Sequence, residues 1–203
     1  MNATQPTIFV VDDDASFLTA VTRLLRAGGF VVKTFKSADE FVKNPLPDSP
    51  GCVIADLHMP GMNGLGLQDS LAAAGAPLPM IFLTGHGDIP TSVHAMRKGA
   101  EDFLTKPVNR EKLFDAVQRA LARNTREREA HTKHRELREL YETLTPRERE
   151  VLTHVITGRL NKQIAGDLDT SERTIKAHRA NLMAKLKVQS VAELVRLAQA
   201  LGI

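Results

Sequence analysis

Five short apolar runs, separated by segments of helical periodicity, fill the first 120 residues and restrict the fold more than any other feature of the chain. The runs have the length of β-strands and comprise Thr7 to Val11, Phe30 to Phe35, Gly51 to Ala55, Met80 to Leu83 and Glu101 to Leu104. Strands that alternate with helices form right-handed βαβ units, with helices on both faces of a parallel sheet. We therefore predict an α/β domain with a five-stranded, doubly wound parallel sheet whose strands are apolar on both faces.

The rest of the chain predicts helices. From Arg110 the helical pattern keeps an apolar stripe through Leu121, but we find none at residues 122–142. A helix that is polar on every side connects domains or is not stable, and the alternative of a coiled coil lacks sustained apolar a and d positions. We therefore place a helical linker at residues 122–142, between a first domain at residues 5–121 and an all-α domain at residues 143–203.

Four short helices are predicted after the linker from the residues that begin them. The expected N-caps are Thr145, Asn161, Ser171 and Ser190. At the first and the last of these, a glutamate three residues further on, Glu148 or Glu193, completes the pattern of a capping box. The two middle helices cover residues 161–168 and 171–186 with a two-residue turn between them, as in a helix-turn-helix.

The formal charge changes sign along the chain. Residues 1–120 carry 11 Lys/Arg against 13 Asp/Glu, a net charge of −2, whereas residues 121–203 carry 16 against 11, a net charge of +5. The first part therefore suits a cation, and the second suits a polyanion such as nucleic acid. No apolar run reaches the roughly 18 residues of a membrane span, and a signal peptide is not indicated. We expect a cytoplasmic protein with no membrane partner. The one cysteine, Cys52, lies in an apolar strand and is interpreted as a core residue without a function.

Polar side chains follow four of the predicted strands. Asp12 and Asp13 come after the first strand and Asp56 after the third, while Thr84 and Lys106 come after the fourth and fifth. Because the carboxyl ends of parallel strands meet at one edge, these groups should lie together. Carboxylates repel one another, and a divalent cation such as Mg²⁺ holds them ionised. The set supplies the parts for phosphoryl transfer to a carboxylate, with Asp56 as the nucleophile and Thr84 and Lys106 as contacts of the transferred group.

These residues and their neighbours resemble the receiver domains of bacterial response regulators over residues 5–121. The resemblance rests on Asp12-Asp13-Asp14, Asp56 with Met59 to Gly64 after it, Thr84 to Asp88, and Phe103 to Pro107. It implies a flavodoxin-like receiver fold in which Asp56 accepts a phosphoryl group from the phosphohistidine of a sensor histidine kinase. Such a protein is not an enzyme, although it dephosphorylates itself slowly.

The resemblance also implies roles for single residues around Asp56. Asp13, Asp56 and the His58 carbonyl surround Mg²⁺, and Asp12 supports the metal through water. Lys106 contacts the phosphoryl group and Pro107 follows a cis peptide bond, while Asp14 is expected to begin the first helix.

Two further features at this site are open between a functional and a structural interpretation. Thr84 is expected to move toward the phosphate and let Phe103 turn inward, but static core packing explains Phe103 equally well. His58 and His86 each follow a site residue by two positions, and they either alter the phosphate lifetime between about pH 6 and 8 or lie on the surface without effect.

Residues 144–198 resemble the LuxR-type helix-turn-helix, and the whole chain resembles the FixJ and NarL group of transcription regulators. The matching residues are Leu144 to Leu152, Gly158, Asn161 to Ala165, Ser171, Thr174 to Lys176, His178 and Met183 to Leu186, whereas Thr170 departs from the expected apolar residue. In the helix over residues 171–186, one face is apolar and the other is basic, which suits a major groove. The expected DNA contacts are Lys162, Arg173, Thr174, Lys176, His178, Arg179 and Lys185, although His178 also fits a role in helix packing.

The last predicted helix has a wider apolar arc than one core requires. Val191 and Val195 are therefore candidates for contact with a second copy, the alternative being that they complete the core. The resemblance implies that phosphorylated receivers pair through the face around the fourth helix and fifth strand. We expect a sensor kinase, double-stranded DNA, RNA polymerase and, after phosphorylation, a second copy of the chain as partners.

Two other functions fit parts of the sequence. A phosphatase with an aspartyl nucleophile would also begin with acidic residues after its first strand, but the first 120 residues contain no large insertion for a substrate-closing cap. An RNA-binding antiterminator would keep the receiver and use the C-terminal helices on RNA, although the capped helix pair favours duplex DNA.

Overall fold

In the computed structural model, which describes residues 5–44, 50–75, 78–85 and 89–203, the apolar runs form one five-stranded parallel sheet in the order β2-β1-β3-β4-β5. The strands are β1 (Thr7–Val11), β2 (Val31–Phe35), β3 (Gly51–Asp56), β4 (Met80–Thr84) and β5 (Asp102–Thr105). The three central strands are buried almost throughout, as predicted. The expectation is wrong for the edge strands, where Lys33, Thr34 and Thr105 are exposed because the helical layers cover the sheet edges less completely.

Helices cover both faces of this sheet and confirm the doubly wound arrangement. They are α1 (Ala15–Ala27), α2 (Ala38–Val42), α3 (Gly64–Ala73), α4 (Ile89–Arg97) and α5 (Arg110–Glu142). On one face, α1 and the first part of α5 pack against side chains such as Ile8 and Ile54. On the other face, α2, α3 and α4 pack against Phe9 and Phe82.

The chain divides within α5 into two compact units, residues 1–128 and 129–203. In the first unit, Asn124 is buried and its Oδ1 accepts a hydrogen bond from the Gly51 amide at 3.0 Å. In the second unit, Leu137, Leu140 and Tyr141 pack against the core. Both ends of the predicted linker at residues 122–142 therefore make contacts that we did not expect. One buried amide and three apolar residues make too weak a pattern to be recognised in a polar sequence.

The second unit consists of the end of α5 and four helices of the described chain, α6 (Pro146–Ile156), α7 (Asn161–Asp167), α8 (Glu172–Lys185) and α9 (Val191–Leu201). Their core contains Val151, Leu152, Val155, Ile164, Ile175, Leu182, Leu186, Leu194 and Leu197. The structure confirms Thr145, Ser171 and Ser190 as N-caps. None of the helices in the described ranges is long and apolar enough to cross a membrane.

The predicted cap at Asn161 is wrong. The N-cap of α7 is Leu160, whose amide donates to Gln163 Oε1 at 2.9 Å. Asn161 is the first helical residue, and its Oδ1 accepts a hydrogen bond from Arg179 at 2.7 Å. Gln163, at the third helical position, accepts from the N-cap amide, as such a residue does in a capping box, and Asn161 bonds instead with Arg179 of α8.

Candidate functional site

The acidic residues after β1 and at the end of β3 form a cluster at the carboxyl edge of the sheet. Asp12, Asp13 and Asp56 each offer a carboxylate oxygen, and these oxygens lie within 4.8 Å of one another. Asp12 is buried, Asp56 is partly buried and Asp13 is exposed. Oxygen ligands of this kind are those that hard divalent cations prefer. The cluster is therefore able to bind a divalent metal ion, as the sequence predicts.

Lys106 lies between two of these carboxylates. Its Nζ is 2.6 Å from Asp12 Oδ2 and 2.9 Å from Asp56 Oδ2, and it lies 4.1 Å from the centre of the Phe17 ring. Burial disfavours the charged lysine, but its hydrogen bonds to Asp12 and Asp56 outweigh burial and raise the Lys106 pKa. For Asp12, burial outweighs the bonds from Lys106 and raises the pKa of the carboxyl. The arrangement brings one positive charge to the oxygen of Asp56.

Backbone contacts hold the carboxylates in place. The Asp14 amide donates to Asp12 Oδ1 at 3.0 Å, and Asp14 caps α1, as predicted, by accepting from the Ser16 and Phe17 amides. The His58 amide donates to Asp56 Oδ1 at 3.3 Å. These bonds use Oδ1 of Asp12 and Asp56, so that Oδ2 of each faces Lys106.

A glycine allows α3 to begin next to Asp56. A Cβ atom at Gly64 would lie 2.5 Å from the Asp56 carbonyl oxygen and 2.9 Å from the Phe82 ring, closer than van der Waals contact allows. The Gly64 amide donates to the Leu57 carbonyl at 3.1 Å. The glycine of the motif after Asp56 thus keeps the backbone close to the acidic residue.

The ends of β4 and β5 bring Thr84 and Lys106 to the same edge. Thr84 is buried and lies beside Thr105 in the strand register, and the Lys106 amide donates to the Thr84 carbonyl at 2.7 Å. The predicted cis peptide between Lys106 and Pro107 is present. Phe103 is partly buried, with its ring centre 6.4 Å from that of Phe82. Its switching role stays a prediction.

The structure describes His58, one of the two histidines predicted to affect the phosphate lifetime, but not His86. His58 is exposed beside Asp56, whereas His86 lies outside the described residues. Their predicted effect on the phosphate lifetime therefore stays a prediction.

The second site lies on the basic face of α8. Ile175 and Leu182 are buried in the core, while Arg173 and Lys176 are exposed. The partly buried residues of the predicted DNA contacts are Thr174, His178, Arg179 and Lys185, and Lys162 of α7 is exposed. The exposed basic residues lie toward the N-terminal half of α8, the part that reads bases in helix-turn-helix proteins.

Two predicted DNA contacts have partners within the second unit that the sequence did not reveal. Arg179 donates to Asn161 at 2.7 Å. Lys185 Nζ lies 2.7 Å from Glu148 Oε2 and 3.2 Å from the Thr143 carbonyl oxygen. Glu148 was predicted as part of a capping box, which the structure confirms. Its pairing with Lys185 joins positions 37 residues apart, a separation at which local patterns carry no signal.

The apolar arc of α9 is only partly used by the core. Leu194, Leu197 and Ala198 are buried, whereas Val191 is 38% exposed and Val195 is partly buried. The two valines therefore remain accessible within the unit, as a contact with a second copy requires.

Comparison with known proteins matches both units to families. Residues 8–118 match the family described as response regulator receiver domain, and residues 142–198 match bacterial regulatory proteins of the luxR family. The chain is 43% identical to nodulation protein W of Bradyrhizobium diazoefficiens, covering 99% of this chain and 88% of that protein. It is 39% identical to the transcriptional regulatory protein FixJ of the same species, covering 96% and 95%. The structure of the response regulator StyR has a TM-score of 0.89 and 45% identity, with 97% and 99% covered.

Proposed function

Because the chain belongs to the two-component response regulators of the FixJ and NarL group, with a receiver domain and a LuxR-type DNA-binding domain, we propose that phosphorylation of Asp56 controls its binding to DNA. The protein is a regulator of transcription. The observation that carries the proposal is the position of Asp56, whose carboxylate belongs to the acidic cluster and lies 2.9 Å from the Lys106 ammonium. The phosphatase alternative leaves the basic face of α8 without a role, and the antiterminator alternative differs in placing RNA rather than DNA on that face.

Asp56 is the nucleophile in the proposed phosphoryl transfer. Its carboxylate oxygen forms a bond to the phosphorus atom of a kinase phosphohistidine as the phosphorus–nitrogen bond breaks. The electron pair of that bond stays on the imidazole, and the product is an acyl phosphate on Asp56. Lys106 is already at Asp56 Oδ2 and gives up its bond to this oxygen to neutralise an oxygen of the arriving group.

Further residues take part at the phosphorylated site. Asp12 and Asp13 complete with Asp56 an oxygen set suited to Mg²⁺, with the His58 carbonyl as a further ligand. Mg²⁺ supplies charge neutralisation at the transferred oxygens when it is bound. The Thr84 hydroxyl donates to a phosphoryl oxygen, and its movement leaves room for Phe103 to turn inward. Water slowly hydrolyses the acyl phosphate, and the exposed His58 beside Asp56 influences that rate.

The recognition helix α8 enters the major groove of double-stranded DNA. Its exposed Arg173 and Lys176 and the neighbouring Thr174 and His178 face bases or phosphates, and Lys162 at the start of α7 contacts the backbone. A regulator that binds chromosomal DNA acts in the cytoplasm and has RNA polymerase as a further partner. An RNA duplex of the same sequence should bind more weakly, which tests the antiterminator alternative.

Phosphorylation converts the chain into a dimer on DNA. Val191 and Val195 form a small apolar patch that two copies share around a two-fold axis, which places two α8 helices about one DNA turn, roughly 34 Å, apart. The patch alone is too small to hold a dimer. Pairing of the receivers through the face around α4 and β5 raises the effective concentration of the second α8 and makes DNA binding depend on Asp56.

The phosphorylation step is tested by incubating the full chain with acetyl phosphate and Mg²⁺. We expect one phosphoryl group by intact mass, and peptide mapping should assign it to Asp56. Asp56→Asn should lose labelling, because the amide is a poor nucleophile, whereas the exposed Asp69→Asn should be labelled like the wild type. EDTA should prevent the reaction. Full labelling of Asp56→Asn, or labelling that survives EDTA, would contradict the proposal.

A further inference from the structure

The C-terminal end of the recognition helix is held by an ion pair between a buried glutamate and a partly exposed lysine. Glu148 of α6 is only 3% exposed, and its Oε2 lies 2.7 Å from Lys185 Nζ in the last turn of α8. The same oxygen accepts the Thr145 amide at 2.8 Å. Burial opposes ionisation of Glu148, but its bonds from Lys185 and Thr145 outweigh burial and hold the pKa of the carboxyl below its usual value. The pair is therefore charged at neutral pH.

Lys185 joins α8 to two other parts of the second unit. Besides Glu148, its Nζ contacts the Thr143 carbonyl oxygen at 3.2 Å, in the turn between α5 and α6. Arg149 of α6 contacts the same region, since its Nη2 lies 3.2 Å from the Glu142 carbonyl oxygen and its guanidinium stacks over Tyr141 at 5.0 Å. Lys185 thus fixes the last turn of α8 to the region where α5 ends and α6 begins.

A small movement at Lys185 is enlarged at the DNA-reading end of the helix. Thr174 and Lys185 are eleven residues apart in α8, which corresponds to roughly 16 Å along the helix axis. A change of tilt at the C-terminal end therefore moves the side chains near Thr174 across the groove. Base contacts depend on hydrogen-bond geometry, so their loss reduces specific binding more than binding to phosphate.

We propose that Glu148 and Lys185 are positioning residues that set the orientation of the recognition helix, and that Lys185 is not a phosphate contact. The proposal rests on the DNA-binding function proposed above and replaces the role predicted for Lys185 from the sequence. To reach a phosphate, Lys185 would have to leave Glu148 as a buried charge without its cationic partner, which is strongly unfavourable. Lys176 is exposed and forms no ion pair with a carboxylate among the residues that the structure describes, so it serves as the comparison.

The test measures DNA affinity of the phosphorylated full chain at several salt concentrations. The probes are a duplex that the wild-type protein selects from a random-sequence pool, and an unrelated duplex. Lys185→Met and Glu148→Gln should each weaken binding to the selected duplex by about tenfold, with little change on the unrelated duplex and an unchanged salt slope. Each single variant and the double variant break the same Glu148–Lys185 pair. The double variant should therefore bind the selected duplex no more weakly than either single variant.

Three variants serve as controls. Lys176→Met should weaken binding to both duplexes and lower the salt slope by about 1, as loss of a phosphate contact does. Glu150→Gln changes an exposed glutamate of α6, the helix that contains Glu148, and should bind like the wild type. Lys185→Arg keeps the ion pair and should restore affinity for the selected duplex, which separates positioning from a general loss of folding.

Two results would overturn the proposal. One is a lower salt slope in Lys185→Met, because it would identify Lys185 as a phosphate contact. The other is a Glu148→Gln variant that binds the selected duplex as tightly as the wild type or more tightly. Release of Lys185 from Glu148 would then leave DNA affinity unchanged or increase it, whereas the proposal expects a decrease. If Glu148→Gln does not fold, the comparison of Lys185→Met with Lys185→Arg still decides. A wild-type protein that selects no duplex would instead contradict the DNA-binding function itself.

Discussion

Two buried carboxylates, Asp12 and Glu148, have lysine partners but differ in what those partners do. At Glu148, the bonds from Lys185 and the Thr145 amide outweigh burial, and the pKa of the carboxyl falls. At Asp12, burial outweighs the bonds from Lys106, and the pKa rises. Lys106 is shared between Asp12 and Asp56, so it is arranged to respond when the charge at Asp56 changes. The first pair suits a fixed structure and the second suits a site that reacts.

Cys52 gives a pH dependence that can be separated from these pairs. Burial, with a smaller effect of Glu101, raises the pKa of its thiol from 9.0 to about 12. In the unfolded chain the thiol ionises near pH 9, whereas in the folded chain it stays neutral, so stability is lost as the pH rises from 9 toward 12. Relative to Cys52→Ala, the wild type should lose about 1.4 kcal/mol between pH 8 and pH 10.

Urea unfolding at each pH, followed in the first unit by hydrogen exchange of β3 amides, measures this difference. The alanine variant lacks the thiol and also loses a little packing, but that loss does not depend on pH. A stability difference that stays constant from pH 8 to pH 10 would contradict the assignment of Cys52 as a buried, inert thiol.

For single residues, the sequence located the acidic cluster but gave no sign of the partners of Arg179 and Lys185. These five residues, Asp12, Asp13, Asp56, Thr84 and Lys106, lie at or just after the C-terminal end of a strand, and the parallel arrangement brings them to one edge. Lys185 was assigned to DNA because a lysine on a basic helix is usually exposed. Whether the Lys185 ammonium contacts solvent or a carboxylate of another helix depends on tertiary packing. Tertiary packing of this kind leaves no periodic pattern in the sequence.

Among the helices, α5 shows which contacts helical periodicity predicts and which it does not. The apolar stripe through Leu121 predicted the part that covers the sheet, because packing needs several residues on one face. In the last turns before Glu142, Leu137, Leu140 and Tyr141 pack against the core of the second unit, and Asn124 bonds to Gly51 in the first unit. Such contacts depend on a few atoms. The ends of the helical linker could therefore not be derived from the hydrophobic pattern of the sequence.

Helix α9 carries the prediction for dimerisation. A Val191→Glu, Val195→Glu variant should remain monomeric on DNA after phosphorylation, because two carboxylates from each copy would meet in the shared patch. On a two-half-site duplex, the wild-type complex should sediment faster after phosphorylation because a dimer binds. The variant should not show this increase, and its affinity for the duplex should be at least tenfold weaker. Ala192→Glu, Ala200→Glu adds the same charge at exposed positions of α9 and should behave like the wild type.

The result that would rule out this interface is a folded Val191→Glu, Val195→Glu protein that binds the two-half-site duplex as tightly as the wild type. Hydrogen exchange in α9 should be measured in parallel, because Val195 is partly buried. A variant with wild-type protection in α9 and reduced affinity supports the interface rather than a loss of structure.

For the whole molecule, the two units divide the work by charge. The first unit concentrates carboxylates and one lysine at a sheet edge, and the second presents a basic helix face. Neither site explains regulation alone, since a phosphate on Asp56 must change what α8 does. Regulation by phosphorylation therefore requires a free-energy coupling between the two sites, typically 1–3 kcal/mol in regulated proteins.

One measurement tests it most directly: titration of the selected duplex with the full chain, before and after treatment with acetyl phosphate and Mg²⁺. The phosphorylation state of each sample is measured by intact mass, and Asp69→Asn serves as the matched control. The account predicts that treatment tightens wild-type and Asp69→Asn binding by roughly 5- to 150-fold and leaves Asp56→Asn unchanged. Equal affinity of the phosphorylated and untreated wild type, or the same tightening in Asp56→Asn, would contradict it.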